Sequence, residues 1–396
     1  MRTQATQSLT ERDRRWGLLN KAMAEHDLDA LIFCANDYRG HKGSLRYVAD
    51  YNLCHKAGNA VMFRDEEPAL VLQGSLVGAR KPSTGWVTDY RFPGTTAQGL
   101  VDALAMRRKF ERIGVIGMGQ VMKVDEYRAL TEAYPRCRFV DFSKQFELIR
   151  AVKSEYELVG AEESAHILDQ CFSRLLEVVR PGITEREVAA EMHRTGHLVG
   201  GEDPIFLSMH TDEQNEHSHS TFDTPRDRVL TPHDVHTFSF EMIGPRGYWT
   251  ELARMVTFAR PTELTARMAK AVTDGINGGA AAMKPGVTPG DVQRKVLDGV
   301  QAAGATSSYW SGHSLGLDVI EDPMIGLDVV EDPTQSRGLP LEQGMVITLH
   351  PMVSDVSAIG SGYMSDTFIV DGDRSRKLSE HPTGLYRISR GEVTVS

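Results

Sequence analysis

An α/β domain over residues 1–150 followed by an α+β domain over 151–396, the second with a pseudo-two-fold internal duplication, is the fold class the sequence predicts. Three observations predict it. Residues 9–150 alternate helix-like and strand-like segments, the pattern of an α/β layer. VVRPGITEREVAAEM at 178–192 is echoed by AMKPGVTPGDVQRKV at 282–296. Between the echoes, FEMIGPRGYWTELAR (Phe240–Arg254) has the build of two strands joined by a Gly- and Pro-containing turn.

In the first domain LLNKAMAEHDLDA predicts a helix and ALIFCA a buried strand. RYVADY, AVMFRD and PALVLQ read as further strands, and RIGVIGMG and RFVDF as two more flanking a helix around Glu126–Tyr134. GVIGMG does not meet the GxGxxG spacing of a dinucleotide site, so it is read as a tight strand-to-helix turn. A long helical region then runs to Pro181-Gly182, with Ser154 and Glu157 spaced as a capping box at its start. The domain boundary is placed just before it, near residue 150. In both echoes a helix ends at a basic residue, Pro-Gly stops it, and Thr184 or Thr288 caps the next helix. Two such half-units facing each other leave a cleft, a favoured place for a small-molecule site. A shorter echo, GLDVIEDP (316–323) against GLDVVEDP (326–333), lengthens one loop, and its Glu321, Asp322, Glu331 and Asp332 are expected to be solvated.

With 396 residues, 25% charged and 41% hydrophobic, the chain is long enough for two cores. A net charge of −10 argues against nucleic acid or an anionic membrane surface as partner. The N-terminal stretch MRTQATQSLTERDRRW lacks an apolar core, so no signal peptide is read there. No apolar run of spanning length occurs. Cys34, Cys54, Cys137 and Cys171 are scattered, without CxxC spacing. A reduced, cytoplasmic protein acting on a small molecule is the expectation.

Candidate chemistry gathers in the second domain. Each arm of the hairpin carries a carboxylate, Glu241 and Glu251, among apolar and aromatic neighbours. Half-buried acids are costly unless met by a cation or hydrogen-bond donors; two solvated acids on an open hairpin face are the alternative. His313 lies in SGHSLG, where glycines let backbone approach closely. His350 stands at the end of the strand-like VITLH, and SGYMSDTFIV reads as a closing strand. His217 and His219 lie in the polar stretch NEHSHSTFD before the hairpin, where exposed loop histidines are equally expected. His193, His197 and His381 are more simply surface or helix residues.

The order of Pro-Gly helix, His loop, GYWTELAR hairpin, second Pro-Gly helix, GHSLG, GM strand and GY strand resembles the creatinase, prolidase and aminopeptidase P superfamily. RAVKSEYEL and SLRYVADY extend the resemblance over nearly the whole chain. It implies the pita-bread fold in the second domain and a homodimer. Metal-dependent members present two Asp on the hairpin, one His, and two Glu on the last strands. Here those positions hold Glu241, Glu251, His313, His350 and Ser365. Both late carboxylates are missing, and two metals need bridging carboxylates, so no cofactor is expected. A single divalent metal held by Glu241, Glu251, His313 and His350 is the alternative. The metal-free branch is closer: creatinase has GHS and a late Pro-Met pair, and metal-free ectoine hydrolases resemble the chain near Glu241 and His350. Ala253 stands where creatinase has a catalytic Glu, and Ala57 near its N-terminal-domain Arg, which argues against creatine itself.

The expected function is therefore metal-independent hydrolysis of a guanidino, amidine or amide C–N bond in a small nitrogenous solute. His313 or His219 would serve as general base and acid. Glu241 would orient water or attack as nucleophile, and His350 would donate to the developing tetrahedral centre. Glu251 would pair with a cationic nitrogen, with His217, Tyr248, Arg254 and Lys56 (or Arg39 or Arg46) as further substrate contacts. A metal-dependent Xaa-Pro peptidase, a lyase and a non-catalytic partner-binding protein are the rival expectations.

Overall fold

The computed structural model describes residues 2–54, 56–73, 86–107, 109–212, 219–307, 310–326, 339–354, 360–389 and 391–396, with side chains left out at 2–6, 210–212 and 219–221. The chain forms two compact units, Met1–Arg150 and Ala151–Ser396.

The first unit is a six-stranded mixed sheet with helices. Its strands are β1 (Ala30–Asn36), β2 (Ala57–Phe63), β3 (Ala69–Leu72), β4 (Asp89–Arg91), β5 (Arg112–Ile116) and β6 (Arg138–Asp141), in the order β4-β3-β2-β1-β5-β6. β1 lies at the centre, parallel to β5 and antiparallel to β2. Its almost fully buried run ALIFCA is what a strand covered on both faces requires. Helices α1 (Arg2–Glu25), α3 (Thr96–Leu104), α4 (Val124–Ala133) and α5 (Ser143–Ala151) surround it. One expectation fails: RYVADY is not a strand but belongs to a buried helix, α2 (Gly43–Ala49), ended by Asp50 in the left-handed conformation (φ 50°). A short apolar run buried on all sides has neither a helical nor a strand period to read.

The second unit repeats one plan twice. Helices α6 (Glu155–Val178) and α7 (Glu185–Leu198) precede strands β7 (Glu202–Asp212), β8 (His219–Asp223), β9 (Asp234–Ile243) and β10 (Trp249–Thr257). Helices α8 (Glu263–Ala282) and α9 (Pro289–Ala302) precede β11 (Thr306–Ser307), β12 (Trp310–Ser314), β13 (Glu321–Gly326), β14 (Val346–Leu349), β15 (Met352–Ser354), β16 (Ser361–Tyr363) and β17 (Ser365–Asp371). The Pro-Gly echoes sit between the helices of each pair, with Gly182 at φ 96° and Gly286 at φ 87°, where a side chain would be strained. Thr184 and Thr288 then close capping boxes with Glu187 and Asp291, as Ser154 does with Glu157 at the start of α6.

A large sheet joins the halves along the path β13-β12-β14-β17-β10-β9-β7-β8, with β18 (Arg374–Lys377), β19 (Leu385–Ser389) and β20 (Glu392–Val395) off this path. Phe172 and Leu175 of α6 pack with Phe238, Phe240, Leu252 and Val256 of the hairpin. Val272 of α8 and Val296 of α9 pack with Ile347, Leu349 and Phe368. Both helix pairs therefore take one parity of strand residues, and the opposite parity is left for the site.

The two halves are stapled by Arg254. Its guanidinium is fully buried and donates to Asp366 Oδ1 at 2.8 Å, and to the carbonyls of Ser365 (2.7 Å), His381 (3.0 Å) and Pro382 (3.0 Å). Asp366 also takes the Thr383 hydroxyl. Removing one partner of a buried, hydrogen-bonded pair strands the other charge, at a cost of about 3–5 kcal/mol. Arg254→Met is expected to lose about that much in urea unfolding; an unchanged midpoint would show that the pair contributes nothing.

Candidate functional site

The site grows from the hairpin. Glu241 of β9 and Glu251 of β10 are direct cross-strand partners and so share a face. On the other side of β10, Leu252 and Ala253 pair with Asp366 and Ser365, which sets Glu251 beside Thr367. That pairing is completed by a side chain: the Glu251 N–H donates to the Thr367 hydroxyl, which donates back to the Glu251 carbonyl, both at 3.1 Å. Thr367 pairs with Thr348 of β14, and Thr348 with His313 of β12. His313, Thr348, Thr367, Glu251 and Glu241 thus form one row across five strands. His350 follows the end of β14, its N–H donating to the Ser311 carbonyl at 2.8 Å.

Three of these side chains converge. The ligating atoms of Glu251, His313 and His350 all lie within 4.8 Å of one another, and all three residues are buried. His313 Nε2 stands 3.9 Å from Glu251 Oε2, too far for a hydrogen bond. The other carboxylate oxygen accepts from the Tyr363 hydroxyl at 2.9 Å. His313 Nδ1 lies 2.9 Å from the Ser314 carbonyl, which accepts only from a protonated nitrogen. The proton therefore sits on Nδ1 and the Nε2 lone pair faces Glu251. His350 packs edge-on against His313 with centroids 5.0 Å apart, and Trp310 lies 5.4 Å from both rings. Tyr363, Phe222, Met209, Ala253 and Met352 form an adjoining apolar cluster.

Burial sets the protonation states. It pushes His313 down to about 4, helped by the neighbouring His350 imidazole and opposed by Glu251. It also pushes His350 down to about 4. Both rings are neutral near pH 7, the form that accepts a proton or ligates a metal. Burial, then the charges of Glu251 and Glu241, raise the Tyr363 phenol well above its usual range, so it remains a donor.

Tyr248 and Arg254, also named from the sequence, do not join this row. Tyr248 is buried against Gly160 of α6 and donates to Glu157 at 2.8 Å. Arg254 is the buried staple described above. Both are three residues from Glu251, which puts them across the pleat from it. Lys56 is exposed in the first unit, with φ 66°. His219 opens β8, and His217 lies outside the described residues. Glu321 is buried rather than solvated, paired with Lys153 at 3.2 Å; Asp322 is partly buried, and Glu331 and Asp332 lie outside the described residues. Tyr363 and Trp310 were not singled out from the sequence. Tyr363 could have been, since it stands two residues before Ser365.

The model of metallopeptidase family M24 matches residues 160–372, and that of the creatinase/prolidase N-terminal domain matches 15–152. The uncharacterized peptidase YqhT of Bacillus subtilis is 26% identical over 67% of this chain and 72% of its own length. The solved Xaa-Pro dipeptidase from Bacillus anthracis superposes with a TM-score of 0.77 at 19% identity, covering 95% of this chain and all of that one. The X-Pro aminopeptidase from Thermotoga maritima gives 0.78 at 16% identity, over 94% and 99%. These likenesses establish the pita-bread fold.

Buried neutral histidines link the site to acid stability. Above about pH 6.5 neither the folded nor the unfolded chain protonates them. Between about 6.5 and 4 the unfolded chain binds more protons, so stability falls as pH falls, and the loss levels off below 4. The double variant His313→Gln, His350→Gln should lose less stability than the wild type between pH 7 and 4 in urea titrations. Equal losses would contradict the assignment.

Proposed function

The chain belongs to metallopeptidase family M24, a hydrolase family, and we propose that its own reaction is hydrolysis of a guanidino, amidine or amide C–N bond in a small nitrogenous solute. The observation that carries this reading is the convergence of Glu251, His313 and His350 where the resemblance expects a paired-metal site. In our reading the His313 Nε2 lone pair takes a proton from water, and the water oxygen bonds to the substrate carbon. Glu251 steadies the imidazolium so formed. The C–N bond breaks and the leaving nitrogen takes the proton from His313, so atoms and charge balance. His350 donates to the developing tetrahedral centre. Glu241, directly across the hairpin from Glu251, orients the water, and the two carboxylates favour a substrate with a cationic nitrogen.

The paired-metal chemistry of the family fits these donors poorly. Ser365, fully buried and with no hydrogen-bond partner for its hydroxyl among the described residues, stands, as the resemblance implies, in place of one late carboxylate, and His350 in place of the other. A one-metal site is the second reading, favoured by the 4.8 Å convergence of one carboxylate and two neutral imidazoles. Such an ion would lower the pKa of a bound water. The Xaa-Pro activity in the names of the solved relatives is the corresponding rival substrate class.

Metal analysis of the purified protein, with activity before and after chelation, separates these readings. Metal-free hydrolysis predicts full activity without bound metal on at least one guanidino, amidine or cyclic amide compound. Activity lost on chelation and restored by one equivalent of Mn, Fe or Zn would overturn it in favour of the one-metal site. His313→Ala should lower kcat/KM by about 100-fold or more. Product oxygen taken from labelled water distinguishes hydrolysis from elimination.

A further inference from the structure

Behind His313, on the side away from Glu251, lies a buried ion pair that the proposed reaction does not use. Lys153 and Glu321 are both nearly inaccessible, with Lys153 Nζ 3.2 Å from Glu321 Oε2. Lys153 also donates to the Ser314 hydroxyl at 3.0 Å, and that hydroxyl donates to the Val346 carbonyl at 3.0 Å. The other oxygen of Glu321 accepts the N–H groups of Leu317 (2.9 Å) and Asp318 (3.2 Å). Glu321 is also the strand partner of Ser314. Gly316 passes so close that a Cβ there would run into the Glu321 carboxylate. One carboxylate thus gathers the chain from 314 to 318, and one ammonium ties it to the segment leading into α6.

We propose that Lys153 and Glu321 are positioning residues for His313, fixing its tautomer and ring direction through the Ser314 backbone. The Ser314 carbonyl is the hydrogen-bond acceptor for His313 Nδ1, and Ser314 is held by Lys153 from one side and by pairing with Glu321 from the other. While that carbonyl stays in place, Nδ1 keeps the proton and Nε2 faces Glu251. A burial of two charges is hard to explain by stability alone, because an apolar pair of similar volume often serves as well. The placement of both charges around one histidine's acceptor gives the pair a reason to be there. The inference deepens the proposed reaction, which needs the Nε2 lone pair, but its test does not require a substrate.

The test is a nitrogen–proton correlation spectrum of protein labelled at histidine with 15N, at neutral pH, with His313 assigned from a His313→Gln variant. Wild type should show one protonated and one unprotonated nitrogen, well separated. In the double variant Lys153→Met, Glu321→Met, which leaves no unpaired buried charge, the two should move toward a common average. Lys153→Met, Glu321→Gln retains an acceptor for the loop amides but loses the ammonium on Ser314, and should shift the pattern in the same direction by less; an unchanged pattern there would reject the role of Lys153. Gly316→Ala, which crowds the carboxylate without removing it, should disturb the pattern and keeps the proposal open to refutation if the Met-Met protein does not fold. A folded Met-Met or Gly316→Ala protein with an unchanged His313 spectrum overturns the proposal. With a substrate in hand, kcat should fall about 10- to 100-fold in the disturbed variants with KM unchanged. A changed spectrum without any C–N hydrolysis would keep the positioning role and reject only the reaction.

Discussion

The register of five strands is the constraint on which the site depends. Glu251 reaches His313 only because β17 and β14 lie between β10 and β12 with Thr367 and Thr348 in step. A one-residue slip at any of these pairings would send Glu251 or His313 to the helix-covered face. Thr367 fastens the step at the point where it matters, bonding both the N–H and the carbonyl of Glu251. Arg254 fastens the same junction from the opposite face. Catalytic alignment and the joining of the two half-units are therefore one structural problem with one solution.

The electrostatics follow from that geometry. Each helix pair buries one face of the sheet, which also holds the Arg254–Asp366 staple, and the titratable groups of the row fall on the other. There the row is still largely out of water, and both imidazoles are neutral for that reason. Glu251 is buried beside them and receives the Tyr363 hydroxyl. A neutral imidazole beside a carboxyl group that already accepts a hydroxyl is an arrangement that favours a proton on the imidazole. The proposed reaction makes use of that arrangement, since it places a proton on His313.

How much of this was legible in the sequence can be said residue by residue. The duplication was, because Pro-Gly and the capping Thr are local signals that need no tertiary contact: Gly182 and Gly286 take the left-handed turns and Thr184 and Thr288 the caps. The hairpin with its opposed acids was legible for the same reason. Arg254 and Tyr248 were read as substrate contacts, yet strand parity, three positions from Glu251, turns both away from it. The buried helix at 43–49 was not legible, since a segment covered on every side shows no period. Nor was Glu321, whose repeat of acids suggested solvent. Its partner Lys153 is 168 positions away in the chain, and only the fold brings them together.

That last failure is instructive about the chemistry. Local sequence identifies groups that act, because histidine between glycines and acids in apolar surroundings are locally unusual. It does not identify the groups that hold them, which are chosen by distance in space. The resemblance implies that His350 and Ser365 stand where metal-dependent members carry two late carboxylates, and the proposed reaction rests on that difference. What the exchange leaves is less negative charge beside His313, a buried neutral ring and a small hydroxyl. Under the proposed reaction, that smaller negative charge would hold a metal pair less well and leave room for a substrate that carries its own positive charge. Glu241 and Glu251 keep their place on the hairpin under either chemistry, which is why they alone could not decide between them.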